Sequence, residues 1–196
     1  MTRLHPTRPP ATPVLGFALG LIGGAVGTLA MGLYWSAVDA AIGRDPRGET
    51  TGGGHDDDSI SLVGRQHESG ESSTAATGRH LFEAIAGDRP SSATESLLSD
   101  VVHYSYGTFQ GGLYGAIRSR AGFPDAAAGA AFGMALWLLG DELGVPLLGL
   151  AEAPSAYPAR QHVHRLGAHL TYGLTVAVAT RGLAGIVGAI SGGLGR

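Results

Sequence analysis

The chain has 196 residues and a formal net charge of −3, a length that allows one domain or a compact helical bundle. Nucleic acid, which needs a clustered basic surface, finds no counterpart in this balance. There is no cysteine, which excludes a disulfide framework, a thiolate metal site and a cysteine nucleophile.

Mean hydropathy is only +0.14, but that average hides a segregation: the apolar residues fall in long blocks and the polar ones in one central stretch. All thirteen basic residues are Arg and there is no Asn, a bias that reads as GC-rich coding rather than function. The expected fold is all-α. It is a polytopic membrane protein of about four transmembrane helices in two hairpins, with a long disordered linker between the first and second.

Residues 1–12 form an N-terminal tail, and the first span follows at 13–42. Its core, 14–38, holds no charge until Asp39. That is about 25 residues, or roughly 37 Å of helix, enough to cross a hydrocarbon core of about 30 Å with some tilt. It exceeds the h-region of a signal peptide, about 7–15 residues, so an uncleaved helix is expected. Thr12 and Pro13 make an N-cap and N1 pair.

Residues 43–92 are expected to be a polar, largely disordered linker, with 43–80 lacking stable structure. They hold glycines at 52–54, an acidic run at 56–58, three His and many Ser, a composition that favours disorder. Leu81, Phe82 and Ile85 suggest a turn or two of interfacial helix near its end.

Three further spans are expected in 93–196, at about 97–117, 126–143 and 163–181, followed by a C-terminal tail. Ser92 and Glu95 have capping-box spacing, and Arg118 and Arg120 close the second span. Gly144, Val145 and Pro146 are expected to break the third. The Gly-rich residues after Arg181 either extend the fourth helix or lie along the interface.

Glycine recurs at helical spacing: Gly16, Gly20 and Gly24, with Gly23 and Gly27 beside them, then Gly107, Gly111 and Gly115, then Gly129 and Gly133. In water each would weaken a helix by about 1 kcal/mol relative to Ala. In a bilayer, small residues let helices approach closely. A tight bundle or a tight homo-oligomer follows, and a water-soluble bundle is the alternative these glycines argue against.

A five-residue pattern, H-x-[ST]-Y-G, occurs at 103–107 and again at 169–173, about six residues into the second and fourth spans. It suggests two hairpins of related design. With alternating spans, Asp100, His103, Asp141, Glu142, Arg165 and His169 fall in one leaflet. Ionisable groups in apolar spans are costly and usually face a bundle interior or water, so these six form the candidate polar cluster. Arg165 is expected to pair with Asp141 or Glu142, and both His103 and His169 to point inward.

Segments 103–115, 146–150 and 167–170, together with the third span carrying Trp137 and Asp141, resemble the YagU-like family of bacterial inner-membrane proteins. The resemblance implies a multi-span inner-membrane protein with a link to acid tolerance, and it supplies no activity or catalytic residue. The lipid bilayer is the expected partner. Arg3, Arg8, Arg118, Arg120, Arg181 and Arg196 against Arg44, Arg47, Arg89, Arg160 and Arg165 is a balance of six to five, which leans to both termini cytoplasmic.

No phosphate loop, dinucleotide fingerprint or HExxH sequence occurs, and the glycines at 52–54 lack the Lys of a phosphate loop. An enzyme is therefore not expected, and no cofactor is required. Three functional readings remain: a bundle handling protons or small solutes at the His and carboxylate cluster, a metal- or haem-binding membrane protein using His103 and His169, and a membrane scaffold.

Overall fold

The computed structural model describes residues 12–48, 59–118 and 125–194. The N-terminal tail, the linker stretch 49–58, the loop carrying Arg120 and the terminal Arg196 lie outside the described residues. Five helices carry the fold: α1 (Pro13–Ile42), α2 (Ser73–Ala86), α3 (Ser92–Arg118), α4 (Asp125–Leu147) and α5 (Ala159–Leu194). Among the described residues there is no strand.

The termini of α1 are written in the sequence. The Thr12 hydroxyl accepts from Leu15 N at 3.3 Å, Pro13 takes the first turn, and Gly43 closes the helix at φ 74° with its N–H on the Asp39 carbonyl. At α3 the cap is Ser91, one residue earlier than expected: its hydroxyl accepts from Thr94 N at 3.3 Å. The third span does not break at residues 144–146. It passes into nine residues of π-helix, Leu136–Gly144, and continues to Leu147 before stopping, where Gly149 turns left-handed at φ 69° and Leu150 N donates back to the Val145 carbonyl at 3.0 Å. The Gly-rich residues after Arg181 extend α5 to Leu194.

Glycine stripes set the packing. The first runs antiparallel down the α1–α3 seam, where Gly16 lies against Gly115, Gly20 against Gly111, and Gly24 against Gly107. A Cβ on Gly20 would run into the Gly111 carbonyl oxygen. The neighbouring stripe, Gly23 and Gly27, receives Thr180, Val176 and Tyr172 of α5. Gly129 and Gly133 of α4 meet Gly173 and His169 of α5 in the same manner. These stripes therefore bind helix to helix within one chain. Met31, Tyr114, Ala168, Tyr172, Val176 and Ala177 form the buried core, with Phe132 and Leu136 packed against it. At the far end Asp125 joins α3 and α5, pairing with Arg118 at 2.6 Å and also with Arg181.

Three helices, Pro13–Ile42, Asp125–Leu147 and Ala159–Gly193, are long and apolar enough to cross a membrane. Outward residues such as Val14, Leu29, Leu33, Leu139, Val178 and Ile190 are exposed, and a helix that is apolar on every side belongs in lipid or in a large core. α3 has the length, but Glu95, Asp100, His103 and Gln110 along it lower its apolarity.

The linker reading is corrected for the residues described. Segment 59–72 is fastened to the α4–α5 connection, with Leu62 N donating to the Leu147 carbonyl at 2.9 Å and Gln66 N to the Gly149 carbonyl at 2.8 Å. Gly149 permits this at φ 69°, with Gly64 and Ser61 crowding the place a Cβ would take. Helix α2 then packs on α3 through Ala76, fully buried, and Gly78, which sits on Leu98. The Arg79 guanidinium, almost buried, reaches Glu71 at 2.9 Å and the Gln66 carbonyl at 3.0 Å. Low hydrophobicity misled because this cap is held by backbone hydrogen bonds and one enclosed ion pair rather than by an apolar core.

Candidate functional site

The polar residues of the spans meet where α4 and α5 approach the cap. The π segment matters here. Asp141 and Glu142 are adjacent in sequence, whereas His162 and His169 lie seven residues apart, two turns along one face of α5. A π turn holds more residues than an α turn, so neighbouring side chains diverge less around the axis, and such segments are frequent at functional sites. Both carboxylates consequently face α5. Glu142 Oε1 lies 2.8 Å from His162 Nδ1, and Asp141 Oδ1 lies 3.8 Å from His169 Nε2.

The backbone fixes each ring. His169 Nδ1 donates to the Arg165 carbonyl at 2.9 Å, which leaves Nε2 toward Asp141. His162 Nε2 is 3.1 Å from the Pro154 carbonyl, which leaves Nδ1 toward Glu142. The side chain of His169 is 15% exposed and that of Glu142 9%, so both point into the protein. His103 is half-buried on α3, with its ring edge-to-face on Tyr104. Asp100 on its own helix, the His169 ring, Asp141 and Arg47 lie near enough to bear on it electrostatically. Of the six expected residues, Asp141 and Glu142 each face a histidine of α5, His169 being one of them, while His103 stands on α3 beside Tyr104 and Arg165 turns to Tyr157. Asp100 is exposed at the outer edge, on the rim of a polar hollow that it shares with Glu71, Arg89 and Ser99.

The expected pairing of Arg165 is corrected. Its guanidinium carbon stands 4.2 Å from the centroid of the Tyr157 ring, a cation–π contact, and Glu142 is taken by His162 instead. The reason is reach along the helix. His162 precedes Arg165 by three residues and lies level with Glu142, whereas the Pro154–Ala156 turn brings Tyr157 back over Arg165.

Other polar contacts were not foreseen. Gln161, fully buried, donates to the carbonyls of Pro46 and Arg47 at 2.8 and 2.9 Å and ties the end of α1 to α5. His67, also buried, is 2.7 Å from the Gly149 carbonyl through Nδ1 and 3.3 Å from Glu152 through Nε2. These partners are separated by more than 80 residues, and no local pattern announces them. Outside the spans, the Arg79 guanidinium holds the Glu71 carboxyl below the usual glutamate range, and Arg47 does the same for Asp45.

No family model, no curated protein and no solved structure matches the chain. Chemistry at the site therefore has to be read from its own atoms. Among the described residues no group of three or more His, Asp or Glu side chains is gathered as a metal would require. Tyr172, 3% exposed, fills the space between α3 and α5 one turn beyond His169 and donates its hydroxyl to the Gly107 carbonyl at 2.6 Å. What remains is imidazole beside carboxylate, a combination suited to holding and passing protons near neutral pH.

Proposed function

We propose that this protein is a four-span inner-membrane bundle, both termini cytoplasmic, that handles protons through His103, His169, Asp141 and Asp100. The observation that carries this reading is the state of His169. Its Nδ1 is committed to a backbone carbonyl, while Nε2 faces Asp141 across 3.8 Å, with His103 within electrostatic reach. A separation of that size is too long for a direct hydrogen bond and suits a proton that moves through a water or a small displacement. The outward face of α3, with Val101, Tyr104, Phe109 and Ile117 exposed, supports a fourth crossing beside α1. The resemblance to the YagU-like family, with its link to acid tolerance, points in the same direction.

The test is proton flux. Purified protein reconstituted in liposomes with an entrapped pH-sensitive dye should dissipate an imposed pH gradient. His169→Ala and Asp141→Asn should lose that flux, whereas a substitution on the outer face such as Val178→Leu should retain it. Flux equal to that of empty liposomes would leave the scaffold reading in place. Because the chain has no cysteine, single cysteines at Leu62 and in the N-terminal tail report topology without background. The two positions are expected on opposite sides.

A further inference from the structure

Segment 59–66, the first part of the cap, is turned inside out. Leu62 is 81% exposed, and Ile60 and Val63 are exposed beside it. The polar side chains among them are used internally. Ser61 Oγ donates to the Gly64 carbonyl at 2.8 Å and accepts from Val63 N at 3.2 Å. Gln66 Nε2 donates to the Val63 carbonyl at 3.0 Å, and His67, which follows, is buried. A loop facing water presents the opposite choice, because apolar surface is driven out of water. Scattered exposed hydrophobics need no explanation, but a contiguous group marks a contact.

The backbone is served from within as well. Leu62 N donates to the Leu147 carbonyl at 2.9 Å and Gln66 N to the Gly149 carbonyl at 2.8 Å. The Val63 and Gly64 carbonyls take the side-chain donors just named. Internal pairing of this kind suits surroundings poor in water, since lipid offers an N–H or C=O nothing to bond.

Helix α4 sets the depth of the segment. It has 23 residues, which is at most roughly 34 Å at about 1.5 Å per residue, against a hydrocarbon core of about 30 Å. With Asp125 at one edge, Leu147 reaches the other. Leu139, Leu143 and Leu148 are exposed along this helix and its last turn, at the wide spacing expected of one face where the bonds run i→i+5. Leu62 hydrogen-bonds to Leu147, beside Leu148, so the apolar tip of the segment stands at the lipid-facing end of α4.

Charge narrows the kind of surface. Within 59–66 Arg65 is the only formally charged side chain, and it is paired with Glu152 at 2.7 Å. The acidic run at 56–58 precedes the segment in sequence. Anionic headgroups therefore add no hold, and apolar area supplies it.

We propose that residues 60–63, with Leu148, are an interfacial anchor that seats the cap in the headgroup–acyl boundary of the bilayer at the end of α4. The occupant of this face is lipid, held by apolar contact. At that depth Leu62 stays on the cap side of the membrane. The anchor stands whether or not protons cross the bundle and requires only that the bundle be inserted.

Because the chain has no cysteine, one nitroxide at a time can be placed in full-length protein in phosphatidylcholine liposomes. The positions are Val63→Cys, Leu148→Cys, Leu29→Cys on the exposed face of α1, and Ser69→Cys in the lining of the polar hollow. Power saturation compares collision with oxygen, which concentrates in lipid, and with a water-soluble nickel chelate. At Val63 and Leu148 the oxygen-to-nickel ratio should be several-fold above that at Ser69 and below that at Leu29. Added phosphatidylglycerol should leave it unchanged; a rise would assign the hold to charge and overturn the apolar anchor. A ratio at Val63 or Leu148 equal to that at Ser69, with Leu29 lipid-like, overturns the anchor and leaves the bundle in the membrane. A water-like Leu29 removes the insertion on which both depend. Shielding of Val63 from both reagents, as contact with a second copy would give, also overturns the proposal.

Discussion

Tyr172 donates its hydroxyl to the carbonyl oxygen of Gly107 at 2.6 Å, and the two residues belong to the two copies of the H-x-[ST]-Y-G pattern. The glycine of the first copy lets α1 close on α3, where its own Cβ would run into Thr28. The tyrosine of the second copy then bridges from α5 to the backbone that this close approach leaves reachable. Tyr172→Phe keeps the ring in the core and removes only the bond. The expected loss is about 1 kcal/mol, within the range of polar contacts between membrane helices, measured as thermal or denaturant stability in detergent. No loss would mean that the bond is geometric and not energetic.

Two glycines of α1 are expected to respond with opposite signs. At Gly20 an added methyl meets Gly111 backbone, which cannot swing aside as a side chain does. Gly20→Ala should cost about 1–3 kcal/mol as overpacking, with α1 and α3 pushed apart. At Gly32 nothing lies within 4 Å of the added carbon, so Gly32→Ala should be neutral or stabilise by up to about 1 kcal/mol through helix propensity. Melting temperatures of the two variants in one detergent decide this, and equal effects would refute the seam.

The long apolar blocks made the helices of the bundle legible, and the i+4 glycines made their contact faces legible. Residues 16, 20 and 24 and residues 107, 111 and 115 are the two halves of one seam. The cap was not legible. Its α2 carries Ser, Thr, Gly and Arg, and it is ordered by groups distant in sequence, such as Gln66 with Gly149 and His67 with Glu152. Which partner each carboxylate of the candidate site meets was not legible. Placing Asp141 or Glu142 opposite Arg165 rested on the two helices being antiparallel neighbours, and the π segment at Leu136–Gly144 alters which neighbour each carboxylate meets.

The Glu71–Arg79 pair gives the cap an acid-side limit. Glu71 is held below the ordinary glutamate range chiefly by its hydrogen bond to Arg79. A carboxyl depressed on folding contributes stability that is present above its unfolded value and lost as the pH falls through its folded one. The cap should therefore loosen well below about pH 4.3, the unperturbed glutamate value, and not between pH 5 and 7. Both side chains are about nine-tenths enclosed, so Arg79→Ala strands a carboxylate and should cost about 3 kcal/mol. Amide exchange of α2, compared with that of α1 in the same sample, reads the loss locally. Exchange in α2 that is unaffected by Arg79→Ala would contradict the role given to this pair.

Arg165 supplies the last expectation, because its contact distinguishes stacking from ion pairing. Its guanidinium lies over the Tyr157 ring at 4.2 Å, while His162 occupies Glu142 and Asp141 is turned to His169. A double-mutant cycle isolates a pair only where the two side chains touch or share a partner; distant sites add to within about 0.5 kcal/mol. Arg165→Ala with Asp141→Ala should therefore be additive. Arg165→Ala with Tyr157→Leu should couple by about 0.5–1 kcal/mol, the size of a partly exposed cation–π contact. His162→Ala with Glu142→Ala should couple more strongly, because removing either one leaves the other enclosed without its partner. Coupling between Arg165 and Asp141 as large as that between His162 and Glu142 would reverse the assignment of partners along α5.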